Sequence, residues 1–118
     1  MLSILIVEDD PAIRRVLADA LGRSYKPRVA ESGEEGLQAL RESVPDVMLT
    51  DLDLDGFPGK RLAAEALSLP RPPIVFVMSG DAPRLLRAAS AARRTFAKPF
   101  PLRDLMSALS ECAAQRFN

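Results

Sequence analysis

Asp46-Val47-Met48-Leu49-Thr50-Asp51-Leu52-Asp53-Leu54-Asp55-Gly56 holds an uncharged run, Val47 to Thr50, closed by an acid at either end. Such a run reads as a short buried strand whose C-terminal end delivers Asp51 to solvent, with Gly56 and Gly59 close behind. In open α/β sheets that end of a strand is where sites form. Ser3-Ile4-Leu5-Ile6-Val7 stops in the same way at Glu8-Asp9-Asp10, and Ile74-Val75-Phe76-Val77-Met78 stops at Ser79-Gly80-Asp81. Thr95-Phe96-Ala97 runs into Lys98-Pro99. If these strands are parallel, the carboxylates of Glu8, Asp9 and Asp51, the Ser79 hydroxyl and the Lys98 ammonium converge on one edge.

Helical patterns separate the strands. Asp10 can cap a helix with Pro11 at its first position, and Ile13, Val16, Leu17, Ala20 and Leu21 recur at helical spacing up to Gly22, with Arg14, Arg15 and Asp19 on the outer face. Arg28 to Ala30 is a weak second strand, placed near an edge by Pro27. Ser32-Gly33-Glu34-Glu35 is a capping box for a helix running through Leu37 and Leu40 and closing before Pro45. Gly59 to Leu69 is a helix with Leu62, Ala63, Ala66 and Leu67 inward, ended by Pro70, Pro72 and Pro73, which form a loop. Ile74 to Met78 is apolar throughout, as a central strand covered on both faces must be. Ala82 to Ala92 is a helix with Leu85, Leu86 and Ala89 inward, and the last helix starts near Leu102 with Leu105, Met106, Leu109, Cys112 and Ala113 as its stripe. Five strands alternate with five helices, which predicts a doubly wound α/β sandwich with right-handed crossovers.

At 118 residues with 47% hydrophobic content, the chain is expected to be one domain over residues 1–118, with no second, output domain. Basic and acidic residues number 16 each. No global field draws the chain onto nucleic acid or a membrane surface, so neither is expected as a partner, and Arg84, Arg87, Arg93 and Arg94 read as a solvated face. The lone Cys112 reads as a buried structural thiol, in keeping with a reducing cytoplasm. The sequence shows no basic-then-apolar leader and no apolar run of about 18 residues. There is no histidine, which removes Ser-His-Asp catalysis, His-based zinc sites and any phosphohistidine carried on this chain.

Three carboxylates gathered at one edge repel, raising at least one pKa unless a cation lies among them. A hard divalent ion with oxygen ligands relieves that strain, and Mg²⁺ is the abundant candidate. A carboxylate beside such an ion can attack phosphorus, while Lys98 and Ser79 offer a charge and a hydrogen bond to phosphoryl oxygens. One reaction uses every one of these groups: phosphorylation of an aspartate.

Ile4-Leu5-Ile6-Val7-Glu8-Asp9-Asp10-Pro11, Pro45-Asp46-Val47-Met48-Leu49-Thr50-Asp51-Leu52, Val77-Met78-Ser79-Gly80 and Ala97-Lys98-Pro99-Phe100 together resemble the receiver domain of two-component response regulators, over the whole chain. The resemblance implies a flavodoxin-like five-stranded parallel sheet of order 2-1-3-4-5, helices on both faces, and a phosphoryl group taken from a histidine kinase or histidine phosphotransfer protein. By motif match it implies Asp51 as phosphoacceptor, Glu8 and Asp9 as the acidic pair on Mg²⁺, Ser79 as switch hydroxyl and Lys98 as site lysine. Asp51 and, through its backbone carbonyl, Asp53 complete the metal ligands. Output is through altered contacts with a downstream protein, by a switch that is self-phosphorylating and autodephosphorylating and not a turnover enzyme. Arg103, Asp104 and Glu111 on the last helix are a candidate homodimer surface or simply a wet face.

Two other readings compete. Asp51-x-Asp53-x-Asp55-Gly56 matches the start of a calcium loop, but its twelfth position is Leu62 where a bidentate Glu is required. Asp-x-Asp after a strand is similar to haloacid-dehalogenase phosphohydrolases, yet here the acidic pair comes first in the chain, and the length leaves no cap domain. A degenerate receiver that only binds protein is the remaining alternative. The chain departs from the receiver pattern in having Thr95 where an aromatic is usual, with Phe96 one place later and so on the opposite face. The interval from Ser79 to Lys98 is also shorter than the family's, and Asp55 replaces a proline, which should loosen the loop after Asp51. Asp53 and Asp81 are expected to flank the route of a hydrolytic water and to influence the lifetime of the phosphorylated state.

Overall fold

The computed structural model describes residues 1–117. Five strands, β1 (Ser3–Val7), β2 (Lys26–Ala30), β3 (Val47–Asp51), β4 (Ile74–Ser79) and β5 (Arg94–Ala97), alternate with α1 (Pro11–Leu21), α2 (Gly33–Glu42), α3 (Gly59–Leu67), α4 (Ala82–Ala88) and α5 (Leu102–Phe117). The strands pair in parallel in the order β2-β1-β3-β4-β5. This is the flavodoxin-like, doubly wound arrangement expected from the sequence.

Strand alternation sorts the core into two layers. Ile4, Ile6, Leu49, Phe76, Met78 and Phe96 pack against Leu17 and Leu21 of α1 and Leu105, Leu109 and Cys112 of α5. Leu5, Val7, Met48, Val75 and Val77 face the other way, against Leu40, Leu62, Ala66 and Leu85 of α2, α3 and α4. A parallel sheet must be covered on both faces, and the uninterrupted burial of β3 records this. The caps are those legible in the sequence. Asp10 accepts from the Ala12 and Ile13 N–H groups ahead of Pro11, and Ser32 accepts from Glu35 N–H. The Glu35 carboxylate, expected on the Ser32 N–H, reaches one residue further back to Glu31 N–H at 2.7 Å.

Several boundaries and faces differ from expectation. β2 starts at Lys26, with Pro27 beside Ile4; as an edge strand it tolerates the missing donor. α3 ends at Leu67, and α4 stops at Ala88. In α4 the inward residues are Leu85, Ala88 and, beyond the helix, Ala92, whereas Leu86 is 79% exposed, because the i, i+3, i+7 stripe turns it outward. Val16 is likewise 59% exposed. Arg14, expected on a wet face, is half-buried and donates to the Glu8 carbonyl at 3.0 Å. Phe96 is buried with Phe76 and Phe100, ring centroids 5.6 and 5.1 Å away, while Thr95 on the opposite face is exposed. Cys112 is buried. Among the described residues no helix is long and apolar enough to cross a membrane.

Candidate functional site

Strand register decides which side chains meet. Val7 lies opposite Thr50, so Glu8 and Asp51 leave β1 and β3 at the same level. Asp51 lies opposite Met78 and Ser79 opposite Ala97, which brings Ser79 and Lys98 to the same edge. Backbone bonds extend the ladder to that edge, from Glu8 N–H to the Ala30 carbonyl at 3.1 Å and from Lys98 N–H to the Ser79 carbonyl at 2.8 Å.

The residues picked out by the sequence do come together. One carboxylate oxygen each from Glu8, Asp9 and Asp51 lie within 4.8 Å of one another. Lys98 Nζ bridges Glu8 Oε1 at 2.6 Å and Asp51 Oδ2 at 2.8 Å. Glu8 and Asp51 are buried, and Asp9 is exposed. Burial, then the neighbouring Asp51, pushes the Glu8 carboxyl up to about 7 against the opposing pull of Lys98. Burial works against the Lys98 charge, but the two carboxylates outweigh it and hold the ammonium above its ordinary value. One lysine therefore compensates two buried acids incompletely, and the remaining deficit, with hard oxygen donors around it, suits a divalent cation.

Asp53 enters by two routes. Its N–H donates to Asp51 Oδ1 at 2.8 Å. Its carboxylate accepts from Ser79 Oγ at 2.9 and 2.8 Å, from Gly80 N–H at 3.0 Å and from Arg84 Nη1 at 2.7 Å. Partial burial opposes ionisation, but the Ser79, Arg84 and Gly80 donors outweigh it and hold this carboxyl below the usual range. Ser79 is itself fully buried and accepts from Asp81 N–H at 2.9 Å. The Asp81 side chain turns toward α4, where it caps Arg84 N–H at 3.2 Å and pairs with Arg84 Nε at 3.6 Å.

Four contributors were not singled out in the sequence as parts of the site. Arg14 and Arg84 fall on the outer faces of their helical patterns; Arg14 also reaches Glu31 at 3.3 Å. Gly80 contributes only its N–H, which no side-chain pattern reveals. Gly59 packs its α-carbon against the end of β3, and a Cβ there would meet the Asp51 carbonyl oxygen at 2.2 Å. Asp55 donates its N–H to Asp9 Oδ2 at 3.1 Å. Leu62, the twelfth position of the calcium-loop match, is fully buried. Arg94 pairs with Glu111, and Arg93 reaches Gln115 at 3.4 Å, so the arginine-rich face is partly tied to α5.

Residues 4–110 match the response regulator receiver domain family. The chain is 34% identical over 120 residues to the transcriptional regulatory protein BaeR of Escherichia coli O6:H1, covering 96% of the chain and 50% of that protein. It is 31% identical over 117 residues to the positive alginate biosynthesis regulatory protein of Pseudomonas aeruginosa, covering 95% of the chain and 47% of that protein. The chain thus spans about half the length of these curated relatives. Among solved structures, a CheY-like response regulator receiver domain protein from Methanospirillum hungatei superposes with a TM-score of 0.89 at 26% identity, over 98% of this chain and 97% of that one.

Proposed function

The chain belongs to the response regulator receiver domain family of two-component signalling, and we propose that it is a Mg²⁺-dependent phosphoacceptor switch with Asp51 as the acceptor. The observation that carries this reading is the bridge from Lys98 to both Glu8 and Asp51, with Asp9 close by and Ser79 on the neighbouring strand. In the transfer, an Asp51 carboxylate oxygen forms a bond to phosphorus as the P–N bond of a partner's phosphohistidine breaks, and the imidazole leaves with the electron pair and takes up a proton. Lys98 can follow the negative charge from the carboxylate to a phosphoryl oxygen, and Ser79 can donate to another. Glu8, Asp9, Asp51 and the Asp53 backbone carbonyl are the groups that would hold Mg²⁺, which supplies charge neutralisation at the phosphoryl oxygens. Return to the resting state is attack of water on the aspartyl phosphate, releasing inorganic phosphate, in a switch and not a turnover cycle.

The partner we assign is a histidine kinase or histidine phosphotransfer protein in the cytoplasm, since the chain has no histidine of its own; a downstream protein reads the phosphorylated state. Against the phosphohydrolase reading stands Asp53: a carboxyl held ionised by Ser79, Gly80 and Arg84 is poorly placed to serve as a general acid. The test is incubation with phosphoramidate or acetyl phosphate, with and without Mg²⁺, read by intact-protein mass spectrometry beside Asp51→Asn. A metal-dependent adduct absent from Asp51→Asn supports the switch. Steady phosphate release without an adduct supports a phosphohydrolase, and neither adduct nor turnover leaves a protein-binding module.

A further inference from the structure

In the phosphoacceptor reading, on which this inference rests, an incoming phosphoryl group needs the Ser79 hydroxyl. That hydroxyl is already engaged. Its single proton lies between the two Asp53 oxygens at 2.9 and 2.8 Å, and the adjacent Gly80 N–H points to the same carboxylate at 3.0 Å. These are donors that would suit a phosphoryl oxygen, and Asp53 presents the same kind of anionic acceptor. The two anions compete for one place, because each donor has one hydrogen to give.

We propose that the Asp53 carboxylate is the resting-state occupant of the oxyanion pocket formed by Ser79 and Gly80, held there by Arg84, and that a phosphoryl group on Asp51 enters by expelling it. Asp53 is adjacent to the acceptor through its N–H on Asp51 Oδ1 at 2.8 Å. A phosphoryl group carrying about −1.5 to −2 charge repels the carboxylate as well as replacing it. On leaving, Asp53 keeps the Arg84 guanidinium as its remaining partner. Arg84 sits in the first turn of α4, where it also pairs with Asp81, and it lines a cleft of about 500 Å³ with Leu52, Leu54, Phe57 and Arg87. Expulsion of Asp53 therefore moves a charge pair at the head of α4 and changes that cleft, which couples the acceptor to the surface through Asp53 and Arg84.

The test measures labelling by phosphoramidate with Mg²⁺, by intact-protein mass spectrometry, together with amide hydrogen exchange across α4. Removing the competing anion in Asp53→Ala is expected to speed labelling about tenfold, the scale of a hydrogen-bonded charged competitor. Unphosphorylated Asp53→Ala and Arg84→Ala should both show the faster α4 exchange that the unaltered chain shows only after labelling. Labelling of Asp53→Ala within about twofold of the unaltered chain, or α4 exchange in the unaltered chain unmoved by labelling, overturns the inference while the switch itself stands. Absence of any adduct on the unaltered chain overturns the phosphoacceptor reading instead.

Discussion

Gly59 and Asp51 stand so close that a Cβ on Gly59 would lie 2.2 Å from the Asp51 carbonyl oxygen and 2.6 Å from Leu52 Cα. Backbone, not a flexible side chain, occupies that space. Gly59→Ala must therefore move the start of α3 or the end of β3, and the helix propensity gained is smaller than the overpacking cost. The expected outcome is a loss of about 1–3 kcal/mol in urea denaturation, with slower phosphorylation of Asp51. Unchanged stability would show that α3 can yield at no cost.

Lys98 is shared between the buried Glu8 and Asp51 carboxylates, and Lys98→Met removes the charge that partly compensates both. Lys98 remains partly exposed, so the loss is expected below that of a sealed ion pair, at about 1–3 kcal/mol. It should be larger at mildly alkaline pH, above the raised Glu8 value where that carboxyl is ionised, than in mild acid. Denaturation midpoints at the two pH values, alongside loss of the phosphoryl adduct, check this.

Glu8 titrates near 7 in the folded chain against 4.5 for an ordinary glutamate. Between those values the folded chain holds more protons than the unfolded one, so this group's contribution falls as pH rises through the window and is level above it. Without divalent cation, the chain should lose on the order of 1–3 kcal/mol across that window. Glu8→Gln should flatten the profile, and a slope that survives the substitution would place its origin elsewhere.

The Asp55 N–H reaches Asp9 Oδ2 at 3.1 Å, a bond that proline cannot make. Asp55→Pro should stiffen the loop of the unfolded chain yet release Asp9. Weaker Mg²⁺ affinity in calorimetric titration, with little change in thermal midpoint, is the expected result.

Much of the site was legible because its residues stand at the ends of apolar runs, where a parallel sheet must deliver them. Glu8, Asp51, Ser79 and Lys98 needed only that rule. Arg84 and Gly80 were not legible: one sits in a helix pattern that marks only an outer charge, and the other acts through its backbone. The outward turn of Leu86 is hidden for a related reason, since adjacent apolar residues on a short helix do not say which of them faces the sheet.

The sequence by itself determined the alternation of strand and helix, the capped starts of α1 and α2, and the identity of the groups at the carboxyl edge of the sheet, all of which follow from local periodicity and side-chain hydrogen bonding. Only the tertiary structure decided how those groups are engaged. Asp53 meets Ser79 across 26 positions and Arg84 across 31, and Lys98 meets Glu8 across 90. Partners so far apart in sequence carry no periodic signature, and they meet only after β1, β3, β4 and β5 have paired in register.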